Sequence, residues 1–345
     1  MIEVLDGGVQ TTVQDGGRPG HLSAGYPPAG AQDYYALSIA NLLVGNELTP
    51  PPMSAGPPGD AGLEMLIKGV SLRFEEDAVF ALAGADMGGT LDGKPVARHR
   101  PVRAASGSVL KLGFATSGAR GYLAIAGGID VPLCLNSRST FIRARRGGLE
   151  GRPLRAGDRL RLGEPAASLE ILAERRLPPD LPVEPAEPRS IRVVLGPQDY
   201  MFTAESIETF LSHDWELSPV SDRMGMRLIG PPLALHERPD YLVRDAGTGV
   251  ADIVDDAIPI GGVQVPGGIE PIVMGVENPT AGGYAKIATV ISTDLGKMGQ
   301  IMPRQTLRFD AVSQAEAVAI RKSQWSALKE SDAALRLGHG SAQRE

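Results

Sequence analysis

Cysteine is nearly missing from this chain of 345 residues: Cys134 stands alone, so no disulfide can form within it, and nothing points to an oxidising compartment. No stretch approaches the roughly 18 apolar residues needed to span a bilayer. The opening Met1-Ile2-Glu3-Val4-Leu5-Asp6 lacks a basic segment ahead of an apolar run. A cytoplasmic protein with no membrane partner is therefore expected. Excess positive charge is also absent: 34 Lys and Arg against 41 Asp and Glu leave a net charge of −7. That balance works against nucleic-acid binding, which needs basic side chains to release counterions from phosphates. Local runs such as Arg143-Ala144-Arg145-Arg146 remain as anion sites or as solvated turns.

Several sequence signatures of catalysis are missing as well. There is no G-x-x-x-x-G-K-S/T run, so no phosphate cradle of the P-loop kind is expected. Gly84-Ala85-Asp86-Met87-Gly88-Gly89 does not keep dinucleotide-binding spacing and reads as a turn between strands. Neither G-x-S-x-G nor H-E-x-x-H occurs. His21, His99, His213, His236 and His339 are scattered without ligand spacing, so no metal site is expected. None of Lys68, Lys94, Lys111 and Lys286 lies in the Met-Lys-Met-like setting of a biotin acceptor, and no Gly-Gly-Ser-Ser-rich run marks a serine–lysine amidase.

What is present is turn-forming residues: 43 Gly and 28 Pro, with aromatics at only 5%. That composition favours tight turns between short strands. The length suits about two domains. Apolar segments punctuated by turns recur at Leu63 to Ile67, Ser71 to Phe74, Ala78 to Ala83, Val109 to Leu112, Tyr122 to Ala126 and Leu169 to Leu172, and their spacing predicts a barrel or sandwich. Alternation places Leu110 and Leu112, Leu160 and Leu162, and Leu307 and Phe309 on buried faces. Helices are few. Asp33 is placed to cap one that runs to Val44 with Leu37, Ala40, Leu43 and Val44 as its apolar stripe and Gly45 as its stop. A second follows Thr203, with Ile207, Phe210 and Leu211 inward. A third follows the capping box Ser313-Gln314-Ala315-Glu316, with Val318, Trp325, Leu328 and Leu335 at helical intervals.

The proline-dominated segment 177–190 predicts an extended linker between a lobe 1–176 and a lobe 191–310, with a C-terminal helix and tail over 311–345. A second proline-rich run, Pro50 to Gly59, reads as a surface loop. Gln32-Asp33-Tyr34 and Gln198-Asp199-Tyr200 each stand ahead of a predicted helix, an echo that suggests duplication.

Longer stretches carry a resemblance. Thr11-Thr12-Val13-Gln14-Asp15-Gly16-Gly17-Arg18-Pro19-Gly20, Gly25-Tyr26-Pro27-Pro28-Ala29-Gly30-Ala31-Gln32-Asp33 and Ala40-Asn41-Leu42-Leu43-Val44-Gly45-Asn46 resemble the opening of the 5-oxoprolinase C-subunit family, also described as allophanate hydrolase subunit 2 or as the antagonist of KipI. Ser137-Arg138-Ser139-Thr140, Gly147-Gly148-Leu149-Glu150-Gly151-Arg152-Pro153-Leu154, Ser221-Asp222-Arg223-Met224-Gly225, Gln264-Val265-Pro266 and Gly282 to Ile291 continue the match to about residue 310. The resemblance implies a mainly β chain with a few helices, folded as two cyclophilin-like β-barrel lobes. It implies two partners, a KipI-like B subunit with a LamB/YcsF-like A subunit, in an assembly that opens 5-oxoproline to glutamate at the expense of ATP. A related module serves urea carboxylase, where the carboxyl group arrives on carboxybiotin, so biotin enters as a carrier-borne substrate and not as a group attached here. The third alternative is a regulatory protein that sequesters a KipI-like inhibitor.

Each of these enzymes must hold a planar amide or ureide and stabilise charge on an oxygen, which calls for fixed donors in a dry cleft. Arg138, Arg223, Tyr284 and Lys286 are the catalytic candidates. Asp15, Arg18, Ser137, Ser139, Thr140, Asp222, Gln264 and Thr280 are the substrate-binding candidates. Arg138 among three hydroxyls suits bidentate contact with a carboxylate or phosphate, with a bridge inside the loop as the alternative. Asp15 with Arg18, and Asp222 with Arg223, read equally as turn-shaping pairs. Gln264 suits an amide substrate or a solvent-facing strand position. The sequence departs from the family at Glu277, where Asp is common, at Ala281 and Ala285, where Thr and Pro are common, and at Gly16, where a larger apolar residue is usual. The run from Pro50 to Gly59 reads as an insertion of roughly ten residues.

Overall fold

The computed structural model describes residues 1–185, 187–237 and 249–341, which divide into two compact units: Met1–Arg18, Ala29–Pro185 and Lys322–Glu345 in the first, Pro19–Pro28 and Ala186–Arg321 in the second. Residues 342–345 of the expected C-terminal tail lie outside the described residues.

Strands dominate, as the turn-rich composition predicts. Among the described residues of the first unit, a seven-stranded sheet runs in the order Ile129–Asp130, Arg159–Leu162, Ile2–Asp6, Ser71–Phe74, Val109–Lys111, Thr90–Leu91, Lys94–Pro95. A five-stranded sheet runs Gln10–Gln14, Gly62–Leu66, Ser117–Ile125, Ala78–Asp86, Pro101–Ala104. Alternate residues of both sheets face one apolar core: Leu63, Met65, Leu123 and Ile125 meet Ile2, Leu72, Leu110 and Leu160 there. The opposite face of the five-stranded sheet presents Val79, Ala81, Ala83, Tyr122 and Ala124 to a second core built on a helix.

That helix spans Tyr34–Val44. The Asp33 side chain accepts a hydrogen bond from Ala36 N at 3.0 Å and Gly45 ends it in the left-handed region at φ 77°. The expected single stripe is too narrow, because ten of its eleven residues are buried. The sheet lies on one side, while Leu172 and Leu328 also enter the core. The segment Leu169 to Leu172, read from its apolar run as a strand, is instead part of the helix Leu169–Ala173. Ser168 caps it through Ile171 N, and Glu170 sits in the first turn, where negative charge suits the helix dipole. Segment 177–185 packs onto the same core through Leu177, Leu181 and Val183, and the Tyr35 hydroxyl donates to Pro182 O at 2.6 Å.

In the second unit the strands close into a barrel: Ser190–Leu195, Lys286–Val290, Gly262–Gln264, Ile272–Met274, Gly225–Ile229, Trp215–Leu217 and Thr306–Ala311, the last pairing in parallel with the first. A separate ribbon, Asp252–Ala257 with Ala281–Tyr284, leads back into the barrel strand that begins at Lys286. The helix Ala204–Ser212 is capped by Thr203 and buries Phe210 against Phe309, with ring centroids 4.4 Å apart. The long helix Gln314–Ser341 starts at the predicted capping box, where Ser313 N donates to Glu316 Oε2 at 2.7 Å. From Lys322 onward the helix belongs to the first unit, where Leu328 is fully buried and Trp325 and Leu335 are partly so, whereas Val318, expected inward, is 37% exposed. Helical spacing alone did not distinguish the turn that meets a partner surface from the turn before it.

Candidate functional site

Six of the residues singled out in the sequence come together in the first unit around Asp15. The chain reverses at Leu135 and Asn136, both in the left-handed region at φ 53° and 61°, and Cys134 and Ser137 close the turn through paired backbone hydrogen bonds. A leucine there costs conformational energy that the surrounding contacts must hold. The turn delivers Ser137, Arg138 and Ser139 to the Asp15 carboxylate. Oδ1 accepts from Ser137 Oγ and Gly17 N, at 2.7 and 2.8 Å, and from Ser139 Oγ; Oδ2 accepts from Arg138 N at 2.6 Å. Arg18 donates to Cys134 O and Ser139 O, and the Thr140 hydroxyl donates to Val13 O at 3.0 Å. Asp15, Ser137, Ser139 and Thr140 are fully buried, and Arg18 is nearly so. The three hydroxyls therefore hold the loop, and the Arg138 guanidinium reaches solvent, where it meets Asp130 at 3.1 Å.

Gly147 and Gly148 belong to this construction. A Cβ on Gly147, at φ 66°, would lie 2.0 Å from Ser139 O, and one on Gly148 would lie 1.9 Å from Thr140 Oγ1. Two of the family departures also meet here. A Cβ on Gly16 would fall 2.6 Å from Pro58 O and 2.8 Å from Pro50 Cδ, so the proline-rich run occupies the space that a larger residue at 16 would need.

The second unit gathers a different set. Lys286 is fully buried; its Nζ donates to Asp256 Oδ2 at 3.0 Å and its backbone N to Gln198 Oε1 at 3.1 Å. Gln198 Nε2 donates to the same Asp256 oxygen at 3.1 Å, closing a three-residue ring. The Lys286 hydrogen bond holds the Asp256 carboxyl below its ordinary value. Gln264 stands beside Lys286 on the neighbouring strand and is 3% exposed, and its Nε2 is buried without a hydrogen-bond partner. A Cβ on Gly282 would stand 2.8 Å from Ile258 Cδ1 and 3.3 Å from that nitrogen, so the backbone there approaches the amide closely. Thr280 accepts from Ile258 N through its carbonyl, and Tyr284 at the end of the ribbon is 43% exposed.

Arg223 and Lys286 have different carboxylate partners: Arg223 Nε meets Glu277 Oε1 at 2.6 Å, with both residues buried. Asp222 instead shapes the turn, accepting from Met224 N and Gly225 N. Sequence reasoning missed Asp256 and Gln198. The repeated Gln-Asp-Tyr pointed at Gln198, whereas Asp256 sits in an acidic strand with no distinguishing pattern. An ammonium and an amide N–H, both fixed in advance and shielded from water, suit a planar group with carbonyl or carboxylate oxygens. Among the described residues no group of three or more His, Cys, Asp or Glu is arranged to hold a metal ion, and no helix is long and apolar enough to cross a membrane.

Comparison with known proteins places this geometry in context. The family described as carboxyltransferase domain, subdomain A and B, matches residues 24–311. The C subunit of 5-oxoprolinase from Escherichia coli is 36% identical over 325 residues, covering 94% of this chain and 95% of its own, and that of Haemophilus influenzae is 35% identical over 323 residues, covering 93% and 94%. The urea amidolyase of Saccharomyces cerevisiae is 35% identical over 341 residues; the match takes in 96% of this chain but spans only 18% of the yeast protein. Among solved structures, the Kluyveromyces lactis urea carboxylase superposes with a TM-score of 0.83 at 32% identity, over 95% of this chain and 29% of that one.

Proposed function

The chain belongs to the carboxyltransferase domain, subdomain A and B, family, and from that premise we propose that it acts as the C subunit of a 5-oxoprolinase-type complex, opening 5-oxoproline to glutamate only together with its partners. The observation that carries this reading is the match to two 5-oxoprolinase C subunits over nearly the whole length of both chains. The partners are a KipI-like B subunit with a LamB/YcsF-like A subunit. ATP is used by the assembly; this sequence carries no P-loop motif of its own.

Within this chain, Gln264 Nε2 donates to the lactam carbonyl and the Lys286 ammonium stabilises the negative charge that develops on that oxygen as the ring amide is attacked. Asp256 and Gln198 position Lys286. Tyr284 closes over the substrate from the ribbon. Arg223, tied to Glu277, holds the turn beside the barrel, and Arg138 offers an anion contact on the first unit.

The test is 5-oxoproline-dependent ATP hydrolysis by the fully reconstituted complex, with this chain alone as control. Turnover by the full set, none by the chain alone, and a loss on the order of 10²- to 10³-fold in kcat for Lys286→Met and Gln264→Leu are expected. Absence of turnover in the full set overturns the proposal. The family description and the urea carboxylase superposition favour a second reading, carboxyl transfer from carboxybiotin to urea or a similar amide. Carboxylation of urea with a biotinylated carrier and a biotin carboxylase, in place of 5-oxoproline turnover, would select it.

A further inference from the structure

A pocket of about 120 Å³ opens in the first unit, away from the Asp15 loop, and neither the family reading nor the proposed reaction uses it. A single water needs roughly 10–15 Å³ on this measure, so the space admits a molecule of several heavy atoms. Met65, Leu82, Met87, Val96 and Leu112 contribute apolar side chains to its wall. Two glycines let its wall side chains pack closely. A Cβ on Gly121 would lie 2.9 Å from Met87 Sδ and 3.4 Å from Met65 Cε, and one on Gly89 would lie 2.8 Å from Val96 Cγ2 and 2.9 Å from Leu112 Cδ2. The wall thus combines short-branched side chains with two thioethers, which adapt their shape readily around an apolar guest.

Polar atoms nevertheless make up the larger share of the exposed lining. Arg98 lies in it, three-quarters covered, with Nη1 donating to Gly84 O at 2.6 Å. The same Nη1 meets Glu184 Oε1 at 2.7 Å, a carboxylate from the proline-rich segment that is 56% exposed. Asp86 is more distant, 3.9 Å from Arg98 Nε. A carboxylate from the proline-rich segment therefore sits on Arg98, the cation in the lining of this pocket. That is where the head of a bound acid would sit.

We propose that this pocket is a binding site for a small aliphatic monocarboxylate, with Arg98 as its anion anchor and Glu184 as an internal carboxylate that the ligand displaces. The apolar tail enters between Met65, Met87 and Leu112, and the carboxylate takes the guanidinium edge that Glu184 leaves. Asp86 disfavours a second negative charge, so a dicarboxylate binds more weakly than a monocarboxylate of equal length. Because an exposed ion pair is worth about 1 kcal/mol or less, displacement of Glu184 is an affordable step and its removal is read as a modest gain.

The full chain labelled with ¹³C at the methionine methyls provides the assay, with Met65 and Met87 signals assigned by Met65→Leu and Met87→Leu. Butyrate is the probe and butanol its uncharged counterpart. Saturable shifts of both methyls by butyrate at millimolar concentrations are expected, with weaker binding of butanol. Glu184→Gln should tighten butyrate binding up to about five-fold, and Arg98→Gln should abolish the preference for the acid. Glu184→Gln changes an exposed side chain, so it keeps the test decisive if Arg98→Gln does not fold. No saturable shift, equal binding of acid and alcohol, or unchanged affinity in Glu184→Gln would each overturn the proposal.

Discussion

Replacing Asp15 by Asn separates a loop-holding carboxylate from a substrate contact. In the native loop its two oxygens accept from Ser137 Oγ, Ser139 Oγ, Gly17 N and Arg138 N with no exposure to solvent. The asparagine oxygen still serves the donors around Oδ1, but its NH₂ then faces the Arg138 N–H, which sat 2.6 Å from Oδ2. One charge-assisted bond is lost and two donors are set against each other, a cost of about 2–3 kcal/mol. Asp15→Ala strands all four donors. The four contributions are coupled through one loop and do not add, so about 3–5 kcal/mol is expected. Because the chain has two units, a single denaturation midpoint does not isolate this loop. Amide hydrogen exchange at Gly17 and Arg138 does. Protection at Arg138 should fall roughly 30- to 150-fold in Asp15→Asn, the factor corresponding to 2–3 kcal/mol. Unchanged exchange, with activity of the reconstituted complex lost, would refute the loop-holding role and return Asp15 to substrate contact.

Gly147→Ala should destabilise the first unit by about 3 kcal/mol or more, since its Cβ meets Ser139 O at 2.0 Å on a backbone at φ 66°; unchanged amide exchange at Arg138 and Gly148 would contradict that packing. Asp256→Asn leaves the buried Lys286 ammonium against a neutral partner. Asp256 is 45% exposed, so the loss at neutral pH should be about 1–2 kcal/mol and not the 3–5 kcal/mol of a fully buried pair. The folded Asp256 carboxyl lies below its ordinary value of 3.8, so its contribution is present above that pH and disappears as the pH falls through the folded value. Wild-type and Asp256→Asn stabilities should therefore converge on acidification below about pH 4; curves that stay parallel would show that the pair is not ionic.

Strand and cap positions were legible where a residue acts through its near neighbours. Asp33, Thr203 and Ser313 cap the helices they announce. Leu110, Leu112, Leu160, Leu307 and Phe309 are buried as alternation requires, whereas Leu162 is only partly covered. Leu169 to Leu172 failed because a short apolar run has no period of its own, and Ser168 with Glu170 settled it as a helix. The short helix Leu295–Gln300 carries two glycines and gave no helical signal, yet Leu295 and Met298 bury it in the barrel core. Of the site residues, sequence pattern reached Lys286, Gln264 and the Ser137 to Thr140 loop, but not Asp256.

The family, the predominance of strands and the boundaries of the capped helices follow from the sequence by itself, because turn residues, caps and period-two alternation act over a few positions. The orientation of each polar group was decided only by tertiary structure. Pairing across 122 and 124 residues turns the serines of the Ser137 to Thr140 loop inward onto Asp15, and pairing across 30 and 58 residues brings Lys286 and Gln198 to Asp256. Spacing along the chain does not encode such long-range pairings: burial forces each polar group to find a partner, and the fold determines which one.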